Sequence, residues 1–252
     1  MLKVRVIPCL LLKNEGLVKT VKFKDYTYIG DPINAVRIFN EMEVDELIFL
    51  DILATKEGRD PGYKLLGELA GECFMPLSYG GGVRSIEQMR RLFSLGIEKI
   101  ALNTAAHDMP ELISEGASLF GRQAIIGSID VRRTLFGKYE VVVADGLKRT
   151  GLDPIKYACS LEKIGVGEIL LTSIDKDGTW EGYDIDLISK VTAAVSVPVI
   201  ASGGASSIDD IGRAIHEGGA SAAALGSMVV FQSKGLGVLI KYPSQSELSR
   251  VL

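Results

Sequence analysis

Residues 79–96 read YGGGVRSIEQMRRLFSLG, and residues 201–218 read ASGGASSIDDIGRAIHEG. At an offset of 122 positions the two stretches share a Gly-Gly pair, a Ser-Ile pair and a closing glycine. The same offset superposes Val44 on Val166, Glu46 on Glu168, and Ile52 on Ile174. Because the offset is close to half of the 252-residue chain, the repeat predicts two copies of one half-barrel whose sites come in pairs.

Short β-branched or leucine-rich runs recur along the chain, with amphipathic stretches such as IKYACSLEKIG between most of them. The eight runs cover residues 4–10, 46–51, 75–79, 99–103, 124–130, 168–173, 197–201 and 222–227. Apolar strands that alternate with helices indicate a parallel sheet covered by helices. Eight such units favour a closed (β/α)8 TIM barrel over an open doubly wound sheet. No linker divides the chain, so we expect one domain over residues 1–252.

Two connections are long for βα loops, residues 11–30 after the first strand and residues 131–151 after the fifth. They are equivalent in the repeat. We expect them to form lids or short hairpins over the mouth of the barrel.

The composition excludes several kinds of partner. Lys and Arg total 28 against 32 Asp and Glu, for a net charge of −4, and no basic stripe predicts a nucleic acid or a membrane surface as partner. The first apolar run, residues 6–12, is interrupted by Pro8 and too short to span a bilayer, and it lacks a cleavage pattern. We therefore expect a cytoplasmic protein.

Cysteines and histidines offer no metal or disulfide framework. Cys9, Cys73 and Cys159 are odd in number and far apart, and we expect all three to be small buried hydrophobic residues. We expect His107 and His216 on helices or at helix entrances, away from the strand ends. Without a metal motif or a dinucleotide fingerprint, the sequence predicts no cofactor and no required metal.

Each of the two glycine turns follows a strand and runs into a helix. There, backbone amides and the positive end of the helix can meet an anion. One such turn is a common packing feature, but two symmetric copies favour phosphate binding. Residues that can donate neutral hydrogen bonds follow at the next strand ends. These are Asn103, Thr104, Gly226 and Ser227. The pair predicts a ligand with a phosphate at each end, or two phosphate half-sites.

Motifs along nearly the whole chain resemble one family, the cyclase subunit of imidazole glycerol phosphate synthase (HisF-like). They are RVIPCL, GDPI, DELIFLDI, EGRD, GGGVRS, EKIALNTAA, SIDVRR, EILLTSIDKDGT and VPVIASGGA. The resemblance implies a (β/α)8 barrel that receives ammonia from a docked glutaminase at one face. At the opposite mouth, such a barrel splits and cyclises a bis-phosphorylated ribonucleotide.

The resemblance also implies roles for individual residues. It implies one phosphate site at Gly82, Asn103 and Thr104, and another at Asp177, Gly178, Gly203, Gly204, Gly226 and Ser227. Lys19 and Asp51 match further positions near the mouth. Asp130 matches one of the two catalytic aspartates of the family, but Leu11 stands where the other is expected. Because Leu11 cannot transfer a proton, autonomous cyclase activity is in question.

The opposite end keeps the pattern of the family. Arg5, Glu46, Lys99 and Glu168 match the four charges at the ammonia entrance, and Glu98 matches a position at the partner interface. Any one such ion pair is typical of a solubilising surface. All four together favour a retained ammonia gate.

The tail LGVLIKYPSQSELSRVL and the strand-one lid resemble a divergent branch of the family, linked to surface-polysaccharide (O-antigen) biosynthesis. That resemblance implies a heterodimer with a glutaminase that supplies ammonia to a separate sugar amidotransferase making acetamidino groups. Two alternatives remain at this point. One is an active cyclase of histidine biosynthesis, a lyase-type synthase in which Asp130, helped by water or Asp51, transfers both protons. The other is a non-catalytic scaffold that activates the glutaminase.

Overall fold

The computed structural model describes residues 4–252, so the first three residues of the predicted domain lie outside it. Within this range, eight parallel strands close into a barrel. They are β1 (Arg5–Lys13), β4 (Leu47–Asp51), β5 (Leu77–Gly80), β6 (Lys99–Leu102), β7 (Ile125–Arg133), β10 (Glu168–Ser173), β11 (Val199–Ser202) and β12 (Ala222–Leu225). Each strand pairs with the next, β10 pairs with β7, and β12 pairs with β1, which completes the closure. The predicted (β/α)8 TIM barrel is confirmed, with strand ends that differ from the prediction by a few residues.

Helices surround the barrel. They are α1 (Pro32–Glu41), α2 (Tyr63–Glu72), α3 (Ile86–Ser94), α4 (Thr104–Asp108), α5 (Glu111–Phe120), α6 (Pro154–Ile164), α7 (Ile185–Thr192), α8 (Ile208–His216), α9 (Ser227–Val230) and α10 (Gln245–Leu248). Several begin where a polar side chain caps free backbone amides: Asp31 accepts a hydrogen bond from Asn34 N at the start of α1, with Pro32 in the first turn. His107 and His216 lie on α4 and α8, as predicted.

Both long connections form hairpins, as expected. The first lid consists of β2 (Gly16–Val21) and β3 (Lys24–Gly30), and β2 continues the sheet antiparallel to the end of β1. The second lid consists of β8 (Tyr139–Val143) and β9 (Lys148–Arg149), and β8 pairs with the end of β7. β1 extends beyond its predicted end because Leu11 and Leu12 pair with both β4 and the first lid, and Lys13 pairs with Gly16 of the lid.

Apolar side chains form two separate cores. The larger one lies between the strands and the helices, where it includes Phe39, Phe49 and Tyr79. The smaller one fills the barrel interior and contains Ile7, Cys9, Ile48, Ala101, Ile126, Leu170, Ile200, Ala222 and Ala224, with Leu50 packed against it. The interior is therefore a packed apolar column.

The cysteine prediction is partly wrong. Cys9 is buried and Cys73 is half-buried, but Cys159 is exposed. Cys159 lies on the outer face of α6, since its neighbours Tyr157, Ala158 and Leu161 supply the buried face of that helix.

Residues near the end of the chain form a hydrogen bond with the first barrel strand. The Tyr242 hydroxyl donates a hydrogen bond of 2.8 Å to the carbonyl oxygen of Val6, at the amino end of β1. Leu248 of α10 is buried, and His216 on α8 lies 2.8 Å from the carbonyl oxygen of Val251. The end of the chain is thus part of the packed structure.

Candidate functional site

A cavity opens at the carboxyl ends of the barrel strands, beneath the two lids, and is called the mouth here. It encloses about 1260 Å³ of empty space, including its opening. Every residue that the sequence assigned to the mouth lines it. These are Lys19, Asp51, Gly82, Asn103, Thr104, Asp130, Asp177, Gly178, Gly203, Gly204, Gly226 and Ser227. The structure therefore brings the predicted candidates together in one site.

The two glycine turns adopt matching, strained conformations. Gly81 and Gly203 have φ values of +124° and +92°, and a Cβ on them would lie 2.4 Å from the Asp51 carbonyl oxygen and 2.6 Å from that of Ser173. Asp51 and Ser173 are themselves equivalent in the repeat. Only glycine fits at such approaches, because L side chains disfavour positive φ and the backbone leaves no space. The pseudo-twofold symmetry read from the sequence thus extends to the turn geometry.

The helices that follow the turns are capped by side chains. Ser85 caps α3 by accepting a hydrogen bond from Gln88 N, and Ser207 with Asp210 forms a capping box on α8. Asp210 also accepts from the amides of Ser206 and Ser207. One amide near the start of each helix, Gln88 N in α3 and Asp210 N in α8, is therefore engaged within the protein. That these helices meet an anion stays a prediction.

The short helices α4 and α9 present the freer ends. Their first positions, after Asn103 and Gly226, have no side-chain cap. Both ends open on the mouth beside the polar residues Thr104 and Ser227. Neutral backbone donors at these ends suit a phosphate group.

Asp130, near the end of β7, lies at the floor of the mouth. Its carboxylate accepts a hydrogen bond of 3.2 Å from the Asn103 amide, which also donates to the Ser128 carbonyl oxygen. Burial, followed by the negative charges of Asp145 and Asp177, raises the pKa of Asp130 to about 7. A carboxyl group with such a pKa can give or take a proton near neutral pH.

Leu11 lines the same cavity from β1. It is paired in register with Leu50 of β4 and with Val18 of the first lid. Its side chain continues the inward face of Ile7 and Cys9, because alternate residues of a strand share one face. The mouth therefore has hydrocarbon at the end of strand one and a carboxylate at the end of strand five.

Two other carboxylates in the mouth are held by cations. Asp51 accepts two hydrogen bonds of 2.8 Å from the Arg59 guanidinium and two more from the backbone amides of Leu53 and Ala54. Asp177 accepts a hydrogen bond of 2.6 Å from the Lys19 ammonium group. With its charge and lone pairs engaged in this way, Asp51 is poorly suited to accept a proton from a ligand.

The opposite end of the barrel carries the four predicted charges, called the ring here. Arg5 contacts Glu46 at 2.6 Å and also pairs with Glu168, while Lys99 lies 3.0 Å from both carboxylates. The two glutamates are buried, with side-chain exposures of 2% and 6%. Burial opposes the charge of Arg5, but the pairing with Glu168 and Glu46 prevails and raises its pKa. The ring is a closed, neutralised network at the amino ends of the strands.

Glu98, which the resemblance assigned to the partner interface, lies just outside the ring. It is exposed and directly precedes β6. Phe74, 87% exposed, occupies the neighbouring loop before β5. An exposed aromatic ring such as that of Phe74 is typical of a protein interface.

The sequence analysis missed Asp145, which lines the mouth from the turn between β8 and β9. Burial raises its pKa to about 6, although Lys56 opposes the shift. The Asp-Gly turn was visible within the second lid segment, but its position over the mouth depends on tertiary contacts. Thr20, Phe23 and Lys56 also line the mouth without having been predicted.

Residues 4–252 contain neither a candidate metal site nor a candidate membrane-spanning helix. No group of three or more His, Cys, Asp or Glu residues in this range could hold a metal ion. Nor does any helix in it combine the length and hydropathy needed to cross a bilayer.

Known proteins match the chain along its length. A family model described as "Histidine biosynthesis protein" matches residues 5–234. A Pseudomonas aeruginosa protein named "Putative imidazole glycerol phosphate synthase subunit hisF2" is 50% identical over 248 residues, which covers 98% of this chain and 99% of that protein. A Vibrio vulnificus protein, "Putative imidazole glycerol phosphate synthase subunit hisF3", is 46% identical over 253 residues, covering 100% and 97%. The "Imidazole glycerol phosphate synthase subunit HisF" of Hyphomonas neptunium is 45% identical over 236 residues, covering 94% and 93%.

Proposed function

We propose that this chain, which belongs to the histidine biosynthesis protein family as a HisF-like synthase subunit, passes ammonia from a partner glutaminase to the amidination of an amino sugar. Ammonia enters at the ring and leaves at the mouth, where a separate sugar amidotransferase uses it to make an acetamidino group for a surface glycan. The complex works in the cytoplasm.

The observation that carries this proposal is the difference between the two ends of the barrel. Four paired charges lie where ammonia would enter. In the mouth, where ammonia would be consumed, Leu11 stands at the position for which the resemblance implies a carboxylate. An apolar side chain at that point favours release of ammonia over proton-coupled chemistry.

The barrel interior supports passage of a neutral molecule. The column between the ring and the mouth is lined by aliphatic side chains such as Ile48, Ile126 and Leu170. Transfer of a charged ammonium ion into such a medium costs several kcal/mol, whereas neutral ammonia avoids this cost. Passage requires the ring to open, since its four side chains close the entrance in the structure.

The mouth supports a role for a phosphorylated ligand. Both glycine turns open on it, together with the uncapped starts of α4 and α9. In the proposal a phosphorylated small molecule binds in this cradle. Its binding couples the mouth to the end of the barrel where the glutaminase docks.

Isotope tracing tests the proposal. The barrel is mixed with the glutaminase from the same genome, glutamine labelled with ¹⁵N at the side-chain amide, and the candidate sugar amidotransferase. The label is expected in the sugar amidine even when unlabelled ammonium is added in excess. Equal dilution of the label by bulk ammonium would overturn delivery through the barrel.

A ring variant sharpens the tracing. Lys99→Ala removes the cation that bridges Glu46 and Glu168, so glutamine hydrolysis is expected to continue while labelled ammonia escapes into the medium. Lys190→Ala, which removes an exposed cation paired with Asp186 on α7, serves as the control and is expected to keep the coupling. Unchanged coupling in Lys99→Ala would contradict the gate.

A second candidate function is the cyclase reaction of histidine biosynthesis, and Asp130 favours it. This residue keeps a buried carboxyl group with a pKa of about 7 between the two phosphate cradles. Asp130→Asn separates the candidates: it abolishes cyclisation of the bis-phosphorylated ribonucleotide but leaves ammonia transfer largely unchanged. Equal loss of both activities would contradict delivery as an independent function.

A further inference from the structure

The turn between β8 and β9 is fixed over the mouth in an unusual backbone conformation. Ala144, Asp145 and Gly146 all have positive φ, at +54°, +59° and +73°. The Ala144 amide donates a hydrogen bond of 3.0 Å to the Thr104 hydroxyl at the start of α4. The carbonyl oxygen of Gly146 accepts a hydrogen bond of 3.5 Å from Arg132 of β7. The turn is thus attached both to α4 and to β7.

This position brings Asp145 to the same corner of the cavity as Asp130. Thr104, which holds the turn, follows Asn103, which binds the carboxylate of Asp130. Both aspartates line the mouth. Among the described residues, no hydrogen bond or ion pair holds the Asp145 carboxylate, in contrast to Asp51 and Asp177.

The charges around the pair explain why a proton stays there. Asp130 lines the same cavity as Asp145 and Asp177, and its pKa is raised first by burial and then by the charges of these two carboxylates. Burial also raises the pKa of Asp145, and the positive charge of Lys56 opposes the rise. A negative charge on Asp145 therefore favours the protonated form of Asp130.

We propose that Asp145 is the second proton-transferring carboxylate of the mouth and acts with Asp130, in place of the carboxylate that is missing at Leu11. The pair serves the addition of ammonia to a carbonyl carbon of a ligand held by the two phosphate cradles. This inference rests on the second candidate function, because it requires an acceptor bound in the mouth, and it is an alternative to the release of ammonia from the mouth.

The proposed step balances without an outside reagent. The nitrogen of ammonia forms a bond to the carbonyl carbon, and the π electrons of the C=O bond move to oxygen. The protonated member of the pair gives its proton to that oxygen, and the ionised member takes a proton from nitrogen. The product is a carbinolamine, and the pair ends with its single proton on the other carboxyl group.

The turn geometry allows a clean variant. Asparagine tolerates positive φ as aspartate does, so Asp145→Asn removes the charge without straining the turn. Asp25→Asn is the matched control, because Asp25 also has positive φ, at +52°, but lies exposed on the first lid and does not line the mouth.

A titration tests the pairing without substrate or glutaminase. The full chain is labelled with ¹³C at the aspartate carboxyl groups, and the Asp130 signal is assigned by its loss in Asp130→Asn. In Asp145→Asn the pKa of Asp130 is expected to fall by about one unit, since the negative charge of Asp145 is gone. Asp25→Asn is expected to leave it unchanged. A fall of less than about half a unit in Asp145→Asn, or an equal fall in the control, would overturn the pairing.

Kinetics of the complex with glutaminase test the acid-base role, with the bis-phosphorylated ribonucleotide as probe. Asp145→Asn is expected to lower kcat about 10²-fold or more with little change in KM, while glutamine hydrolysis continues. The double variant Leu11→Asp/Asp145→Asn is expected to recover part of the lost rate. Unchanged kcat in Asp145→Asn would overturn the role of Asp145 alone. Absence of product from the wild-type complex would overturn the second candidate function together with this chemistry, while the titration still decides the pairing.

Discussion

The two ends of the barrel handle buried charge differently. At the ring, Arg5 and Lys99 neutralise Glu46 and Glu168 through direct contacts. In the mouth, Asp130 accepts a hydrogen bond from a neutral amide, and burial raises its pKa. The ring stabilises its charges by pairing them, whereas Asp130 retains a proton to a higher pH.

This difference has consequences for stability. A buried ion pair loses most when one partner is removed, because the other charge is left without compensation. A buried carboxyl group with a raised pKa destabilises the fold once it ionises. Its removal should therefore raise the free energy of unfolding at a pH where the group is ionised. Mutations at the two ends should therefore have effects of opposite sign.

The largest effect is expected at the ring. Glu46→Ala removes the acceptor of Arg5, Lys99 and Ser78 together. The free energy of unfolding should fall by about 3 to 5 kcal/mol, measured by urea denaturation. Glu217→Ala, which breaks an exposed pair with Arg213 on α8, is the control and should cost less than about 1 kcal/mol. A similar small loss in both variants would show that the ring is no buried network.

The next effect concerns the walls of the mouth. Gly204→Ala would bring a Cβ to 2.2 Å from the Gly182 carbonyl oxygen at a φ of +109°. We expect a loss of about 2 to 4 kcal/mol in the free energy of unfolding and weaker binding of inorganic phosphate by calorimetry. Gly137→Ala is the control, since φ there is also positive, at +76°, but nothing lies within 4 Å. If the two variants lose equal free energy of unfolding, the close approach at Gly204 does not contribute to the loss.

A smaller effect, of opposite sign, is expected at Asp130. Its folded-state pKa of about 7 lies above the unfolded value near 4, so the folded state binds the extra proton between these pH values. The contribution of this residue to stability therefore declines as pH rises from about 4 to 7. At pH 8 Asp130→Asn should be more stable than the wild type by about 1 to 3 kcal/mol, an amount reduced by the water in the cavity. Urea unfolding at pH 5 and pH 8 measures the difference, and a destabilised variant at pH 8 would contradict it.

The smallest effect on stability is expected at Glu98, outside the ring. Because this side chain is exposed, Glu98→Ala should change the free energy of unfolding by less than about 0.5 kcal/mol. If the residue lies in the glutaminase interface, the same variant should weaken that complex measurably in a titration by calorimetry. Unchanged affinity would remove Glu98 from the interface.

The repeat and the strand pattern made the barrel predictable. The eight apolar runs and the pair of glycine turns depend on local residues and on a regular period, which a sequence displays directly. The twelve mouth residues followed from the resemblance, and they meet because parallel strands of a barrel end at the same face.

Features that depend on contacts between distant segments were not predictable. The position of Asp145 depends on the hydrogen bond from Ala144 to Thr104, which lies far away in the chain. Likewise the exposure of Cys159 depends on which face of α6 meets the barrel, and the engagement of Asp51 depends on Arg59. A sequence shows which groups are present, but the register of lids and loops decides which of them meet.

The closure of the barrel joins the beginning of the chain to its end. β1 pairs with β12, and the Val6 carbonyl oxygen receives a hydrogen bond from Tyr242. Since the ribosome releases the amino-terminal residues first, one edge of β1 stays unpaired until nearly the whole polypeptide has been synthesised. A nascent chain therefore exposes an open sheet edge for most of its translation, and Arg5 meets Glu168 only after two thirds of the chain has been made.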